Sequence, residues 1–130
     1  MSTKLIVVED DAASVMLLKR YLKRADWHPE VIHFEYGADA IDYFQNTNDS
    51  DAVLLLDLNL PDLHGTDILK TIRMQDALDS MSVVVLTTSN LEHERATCED
   101  LGIDHFLEKP FSLKALVALM HTLDLQVNTN

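Results

Sequence analysis

The sequence predicts an α/β fold, an open and doubly wound parallel sheet of five strands with helices packed on both faces. Short apolar runs alternate with segments of helical spacing from one end of the chain to the other. The run AVLLL at residues 52–56 is apolar throughout, which is typical of a strand buried on both faces of a parallel sheet. Because crossovers between parallel strands are right-handed and each helix must bury one side against the sheet, helices are expected on both faces.

The elements follow in order along the chain. Apolar or alternating runs predict strands at residues 4–8, 30–35, 52–57, 82–90 and 103–108. Apolar residues at helical spacing predict helices from Ala12 to about Arg24, over 37–46, from about Thr66, over 91–102 and from about Ser112. Ser112 is a suitable N-cap for the last of these helices. Gly37 opens the second helix and Gly102 ends the fourth.

Size and composition indicate one domain. A chain of 130 residues with 47% hydrophobic content can bury a core without disulfides or metal staples. We expect the domain to span residues 1–125, followed by a flexible tail at 126–130, with no room for an output domain after about Leu125.

Charge and cysteine content exclude several classes of function. Acidic residues number 22 against 10 Lys plus Arg, and the resulting net charge of -12 repels phosphate backbones, so direct nucleic-acid binding is not expected. The single cysteine, Cys98, cannot form an internal disulfide. No secretory segment opens the chain, and no apolar run approaches the roughly 18 residues of a membrane span. We therefore expect a cytoplasmic protein without a membrane partner.

Polar residues collect where the predicted strands end. Ligands of open α/β sheets bind outside the carboxyl ends of the strands. The side chains expected at that rim are Glu9, Asp10 and Asp11 after the first strand, Asp57 after the third, Thr87, Thr88 and Ser89 after the fourth, and Lys109 after the fifth.

Acids gathered at one rim repel one another unless a cation lies among them. Carboxylate, carbonyl and water oxygens are the ligands that Mg²⁺ prefers, so Asp10 and Asp57 are candidate ligands, with the backbone carbonyl of Asn59 as a third. The ammonium of Lys109 is expected to pair with Asp57, and Thr87 offers a hydroxyl near the same point. A carboxylate beside Mg²⁺ and an ammonium is suited to forming an aspartyl phosphate, with Asp57 as nucleophile.

The motifs VVEDD, LLLDLNLP, HG, VLTTS and EKPF occur in this order across essentially the whole chain. In them the sequence resembles the response-regulator receiver domains of two-component signalling. The motifs VLTTSN and DLNLP also resemble those of the receivers that serve bacterial phytochrome kinases.

The resemblance implies a signalling switch rather than an enzyme. Asp57 would accept a phosphoryl group, in a Mg²⁺-dependent reaction, from a sensor histidine kinase or a phosphotransfer protein. Self-phosphorylation from small phosphodonors and slow autodephosphorylation are also implied. The fold implied is flavodoxin-like, with sheet order 2-1-3-4-5.

The resemblance also implies the roles of the other rim residues. Asp10 would bind the metal directly, Glu9 would bind it through water, and Asn59 would give its carbonyl. Thr87 would turn its hydroxyl to the phosphoryl group and Lys109 would bridge to it. The peptide bond from Lys109 to Pro110 would be cis.

Three positions depart from the usual pattern of the family. Phe106 stands at the aromatic switch position and lacks a tyrosine hydroxyl, so only packing can couple it to Thr87. Thr88 stands where alanine is commoner and narrows access to the site. His64 stands where an acid or amide is usual. Downstream protein targets are expected on the face formed by the fourth helix, the fifth strand and the last helix, where a homodimer could also form.

Two alternative functions remain open at this point. A Mg²⁺-dependent phosphohydrolase of the aspartyl-phosphate type would need a second acid two residues after the nucleophile, where this chain has Asn59. A nucleotide or flavin binder of similar fold would need a glycine-rich loop, where this chain has Glu9, Asp10 and Asp11. Both alternatives are less well supported than the receiver.

Overall fold

The structure is a computed structural model that describes residues 4–48, 50–78, 80–88, 92–103 and 105–123, with the backbone alone at 92 and 93. The strands are β1 (Lys4–Val8), β2 (Glu30–Phe34), β3 (Ala52–Asp57), β4 (Ser82–Thr87) and β5 (His105–Glu108). The helices are α1 (Ala12–Arg24), α2 (Gly37–Asn46), α3 (Gly65–Arg73), α4 (Glu92–Asp100) and α5 (Leu113–Thr122). Within these residues, no helix has the length and apolar character needed to cross a membrane.

The five strands form one parallel sheet in the order β2-β1-β3-β4-β5, which confirms the predicted fold class. The register aligns the carboxyl ends of neighbouring strands. Val8 lies beside Leu56, so the residues after β1 emerge next to the end of β3. Thr87 lies beside Glu108, so Lys109 emerges next to the end of β4.

The sheet separates two apolar cores because successive strand residues point to opposite faces. Every residue of β3 is buried. Leu54 and Leu56 belong to the core covered by α2, α3 and α4, which contribute residues such as Phe44 and Ile68. Val53 and Leu55 belong to the core covered by α1 and α5. Burial on both faces explains why β3 reads as an unbroken apolar run.

The structure shifts some predicted boundaries. The fourth helix was predicted over 91–102 but ends at Asp100. It stops there because Gly102 adopts a left-handed conformation, φ 84°, and the N–H of Ile103 turns back to donate to the carbonyl of Cys98. A short 3-10 helix at Asp76–Leu78 was not predicted. Ser89 and the predicted tail at 126–130 lie outside the described residues.

Candidate functional site

The site lies where β1, β3, β4 and β5 end at one edge of the sheet. Asp57 is the last residue of β3 and Thr87 the last residue of β4, and both are buried. Glu9 follows β1 directly, and Lys109 follows β5. The N–H of Lys109 donates to the carbonyl of Thr87 at 2.8 Å, which fixes the start of the lysine beside β4. The peptide bond from Lys109 to Pro110 is cis, as the family resemblance implies.

Both oxygens of the Asp57 carboxylate have partners. Oδ1 accepts a hydrogen bond from the N–H of Asn59 at 3.1 Å. Oδ2 lies 3.4 Å from the Nζ of Lys109. The backbone N–H and the ammonium therefore orient a buried carboxylate toward the open edge of the sheet.

Glu9 is the most deeply buried acid of the site, with 1% of its surface exposed. Its Oε1 accepts a hydrogen bond from Lys109, while its Oε2 is buried without a hydrogen-bond partner among the described residues. Burial raises the pKa of Glu9 to about 7, and the neighbouring Asp57 adds to this rise while Lys109 opposes it.

The pKa of Lys109 moves in the opposite sense to that of an isolated buried lysine. Burial alone lowers it, but the hydrogen bond to Glu9 and the charge of Asp57 outweigh burial, so the pKa of Lys109 is raised above its ordinary value. The ammonium thus stays charged at neutral pH.

The acidic cluster consists of Glu9, Asp10 and Asp57, which offer one carboxylate oxygen each within 4.8 Å of one another. Asp10 is exposed, so the cluster opens to solvent. The ammonium of Lys109 pairs with Glu9 and Asp57, and the unpartnered Oε2 of Glu9 adds unsatisfied acceptor capacity. This donor set, rich in oxygen and short of positive charge, fits a hard divalent cation such as Mg²⁺.

Asp11 does not join the acidic cluster. Its carboxylate caps α1, accepting from the N–H of Ala13 at 3.1 Å and from the hydroxyl of Ser14 at 2.9 Å. The hydrogen bond from Ser14, followed by that from Ala13, lowers the pKa of Asp11. The sequence placed all three acids at the rim, whereas the structure separates the cap from the two acids near Asp57.

Phe106 lies on β5, half-buried, and contacts a residue that the sequence did not single out. The guanidinium carbon of Arg95 lies 4.6 Å from the centre of the Phe106 ring, a cation–π geometry. Arg95 belongs to α4, which the sequence presents as a polar helix. No spacing rule links these two residues, because they come from different elements.

His64 and Asp62 also have roles that the sequence did not reveal. The Nδ1 of His64 accepts from the N–H of Thr66 at 3.3 Å and so caps α3. The carboxylate of Asp62 accepts from the N–H groups of Gly37 and Ala38, at the start of α2. Histidine is a rare N-cap and Asp62 caps a distant helix, so neither contact has a local sequence signal.

Comparison with known proteins identifies the family. The family model described as "Response regulator receiver domain" matches residues 5–121. A chemotaxis protein CheY homologue of Campylobacter jejuni is 29% identical over 113 residues, which cover 87% of this chain and 85% of that protein. The structure of the bacteriophytochrome response regulator RtBRR is 31% identical, with a TM-score of 0.84, and the match covers 100% of this chain and 82% of that one.

A third similar protein is the phosphorylated cyanobacterial phytochrome response regulator RcpA, 27% identical with a TM-score of 0.78. That match covers 95% of this chain and 92% of the RcpA chain. Two of the three proteins therefore belong to phytochrome systems, in agreement with the VLTTSN and DLNLP motifs. This chain belongs to the response regulator receiver domain family of two-component signalling.

Proposed function

We propose that this protein is a phosphorylation switch in which Asp57 accepts a phosphoryl group from a sensor histidine kinase or a phosphotransfer protein. One observation carries the proposal: the buried Asp57 carboxylate lies at the open edge of the sheet, 3.4 Å from the Lys109 ammonium and within 4.8 Å of oxygens of Glu9 and Asp10. A nucleophile held beside compensating charge is what phosphoryl transfer requires.

In the transfer step, a carboxylate oxygen of Asp57 forms a bond to phosphorus while the bond from phosphorus to the donor's histidine nitrogen breaks. The electron pair of the broken bond returns to that nitrogen, and the product is an acyl phosphate on Asp57. Lys109 stabilises the charge of the phosphoryl oxygens, and the hydroxyl of Thr87 donates a hydrogen bond to one of them. The buried Glu9 lines the side of the site next to Lys109.

Asp10 and Asp57 would hold a Mg²⁺ ion directly, with the carbonyl of Asn59 as a third protein ligand and Glu9 bound through water. When bound, the ion supplies positive charge that balances the three carboxylates and the negative charge of the incoming phosphoryl group. The open, solvent-facing position of Asp10 leaves room for the waters that Mg²⁺ retains.

The output of the switch is a change in partner binding. We propose that Thr87 moves toward the phosphoryl group and that the Phe106 ring repacks behind it, altering the face formed by α4, β5 and α5. Downstream protein targets, or a second copy of this chain, would bind that face. The receiver domain would occupy residues 1–125.

The experiment that tests this function uses a small phosphodonor. The purified protein is incubated with Mg²⁺ and acetyl phosphate, and intact-mass spectrometry follows the addition of one phosphoryl group. We expect modification of the wild type and of Asp67→Asn, a control acid on α3, but none of Asp57→Asn. Equal modification of the Asp57→Asn variant, or none of the wild type, would overturn the proposal.

Beryllofluoride tests the output step. It should change the NMR shifts of residues on α4, β5 and α5 in the wild type and not in Asp57→Asn. Analytical ultracentrifugation of the same samples tests whether this face forms a homodimer. A response confined to the residues around Asp57 would argue against the proposed output face.

A further inference from the structure

We propose that Asp62 is a positioning residue for the metal site, because it fastens the loop that carries Asn59 to the start of α2. This inference rests on the proposed function, since it concerns the affinity of the acidic cluster for Mg²⁺. It assigns to Asp62 a role beyond capping a helix.

The loop is linked to α2 by two hydrogen bonds that one carboxylate accepts. The N–H of Gly37 donates to Oδ1 of Asp62 and the N–H of Ala38 donates to Oδ2, both at 2.9 Å. Tyr36, at the N-cap position of α2, makes no capping hydrogen bond with its own side chain. The first turn of α2 is therefore capped by a residue of the loop between β3 and α3, and not by its own neighbour.

Close packing accompanies the hydrogen bonds. Leu63, the next residue of the loop, lies so near Gly37 that a Cβ atom at position 37 would be 2.5 Å from its Cδ1. The absence of a side chain at Gly37 allows this approach. Asp62 and Leu63 together hold the tip of the loop against α2 at two adjacent points.

The base of the same loop is closed at the site. Asn59 and His64 form an isolated antiparallel bridge, and the N–H of Gly65 donates to the carbonyl of Leu58 at 2.7 Å. The N–H of Asn59 donates to Oδ1 of Asp57. A short loop held at its base and its tip has little freedom, so the contact of Asp62 with α2 restricts where the backbone of Asn59 can lie relative to Asp57.

A purely capping role and a positioning role make different predictions. If Asp62 only caps α2, its loss lowers the stability of the protein and leaves the affinity for Mg²⁺ unchanged. If it positions the loop, the two contacts are thermodynamically coupled, and coupling is reciprocal. Loss of Asp62 then weakens Mg²⁺ binding, and Mg²⁺ in turn strengthens the hold of Asp62 on α2.

Calorimetric titration of metal-free protein with MgCl₂ tests the first half of this coupling. We expect Asp62→Ala to bind Mg²⁺ about tenfold more weakly than the wild type, as is usual when a group that orients a metal ligand is removed. Asp62→Asn, which keeps one acceptor oxygen, should lie between them. Asp39→Ala, which removes an acid from the first turn of the same helix without touching the loop, should bind as the wild type does.

Amide hydrogen exchange tests the second half. Saturating MgCl₂ should slow the exchange of the Gly37 and Ala38 amides in the wild type and in Asp39→Ala, and should slow it less in Asp62→Asn. Urea unfolding without Mg²⁺ checks that each variant is folded. If Asp62→Ala does not fold, the comparison uses Asp62→Asn instead.

The outcomes separate this inference from the proposed function. Wild-type protein that binds no Mg²⁺ would overturn the metal site itself. Wild-type binding together with unchanged affinity in both Asp62 variants would overturn only the positioning role, leaving Asp62 as a helix cap.

Discussion

The ammonium of Lys109 lies closer to Glu9 than to Asp57. It donates a hydrogen bond to Oε1 of Glu9, whereas Oδ2 of Asp57 lies 3.4 Å away. The lysine that the family resemblance assigns to the phosphoryl group is thus shared, in the resting protein, between the proposed acceptor and a buried acid. Several measurable properties depend on this sharing.

Replacing Lys109 should destabilise the metal-free protein. Lys109→Met leaves the buried Glu9 and Asp57 without their counter-charge, and removing one partner of such a pair costs about 3 kcal/mol. Urea unfolding at pH 8 in the presence of EDTA measures the loss. Lys114→Met, at an exposed lysine on α5, is the control and should change stability little. Equal stability of the two variants would contradict a charge-compensating role for Lys109.

The stability of the metal-free protein should fall as the pH rises from about 4.5 to about 7. The pKa of Glu9 is raised from 4.5 in the unfolded chain to about 7 in the folded protein, so the folded state binds more protons in this window. Stability then decreases with pH, by at most about 3 kcal/mol in total, and levels off above the window. The raised pKa of Lys109 acts only at alkaline pH and does not alter this slope.

Urea unfolding at a series of pH values in EDTA measures this slope. Glu9→Gln cannot ionise and should remove most of the decrease. Equal pH profiles of the wild type and Glu9→Gln between pH 5 and 7 would show instead that Glu9 is ionised in the folded protein throughout that range.

Magnesium should stabilise the folded protein through the acidic cluster. A ligand that binds only the folded state adds about 2.7 kcal/mol at a concentration one hundred times its Kd. We expect this increase in MgCl₂, its loss on addition of EDTA, and a much smaller effect in Asp10→Asn, which removes a proposed ligand from the cluster. Thermal unfolding with and without Mg²⁺ provides the measurement, and an equal shift in Asp10→Asn would place the ion elsewhere.

The fold could be predicted from the sequence because burial leaves a local pattern. An unbroken apolar run such as residues 52–56 has few alternatives to a central parallel strand, and helical periodicity predicted a helix from Ala12 to about Arg24, where the structure has α1 at Ala12–Arg24. The exact ends of the helices were less predictable, because they depend on contacts such as the hydrogen bond from the N–H of Ile103 to the carbonyl of Cys98.

The candidate site was predictable only in part. Glu9, Asp57, Thr87 and Lys109 come together because each stands at a strand end, and strand ends are visible in the sequence. Their roles in phosphoryl transfer stay predictions. The hydrogen bonds of Asp62 to α2 and the contact of Arg95 with Phe106 join distant parts of the chain, so no local sequence pattern predicts them.

Asp11 should prove to be a structural acid and not a metal ligand. Its carboxylate caps α1, so Asp11→Ala should lower the stability of the protein. Ser112→Ala, which removes the cap of α5, should cost a similar amount and is the matched control. Calorimetry should give both variants the Mg²⁺ affinity of the wild type. A tenfold weaker affinity in Asp11→Ala alone would instead make Asp11 part of the cluster.

Gly65, the first residue of α3, should tolerate substitution less well than Gly37. A Cβ atom at this position would lie 2.7 Å from the backbone carbonyl of Asp57 and 2.8 Å from the Cα of Leu58. Backbone atoms cannot move aside as the end of a side chain can, so Gly65→Ala should push the end of β3 away from α3. The expected loss of stability is about 1–3 kcal/mol.

The same substitution should slow phosphorylation of Asp57 by acetyl phosphate, because the nucleophile is displaced relative to Lys109. Gly37→Ala is the informative comparison, since the three atoms nearest to a Cβ there belong to the side chain of Leu63 and not to backbone. We expect Gly37→Ala to lose less stability and to be phosphorylated faster than Gly65→Ala. Rates measured by intact mass at equal fractions of folded protein separate the displacement of Asp57 from simple unfolding, and equal rates in the two variants would refute it.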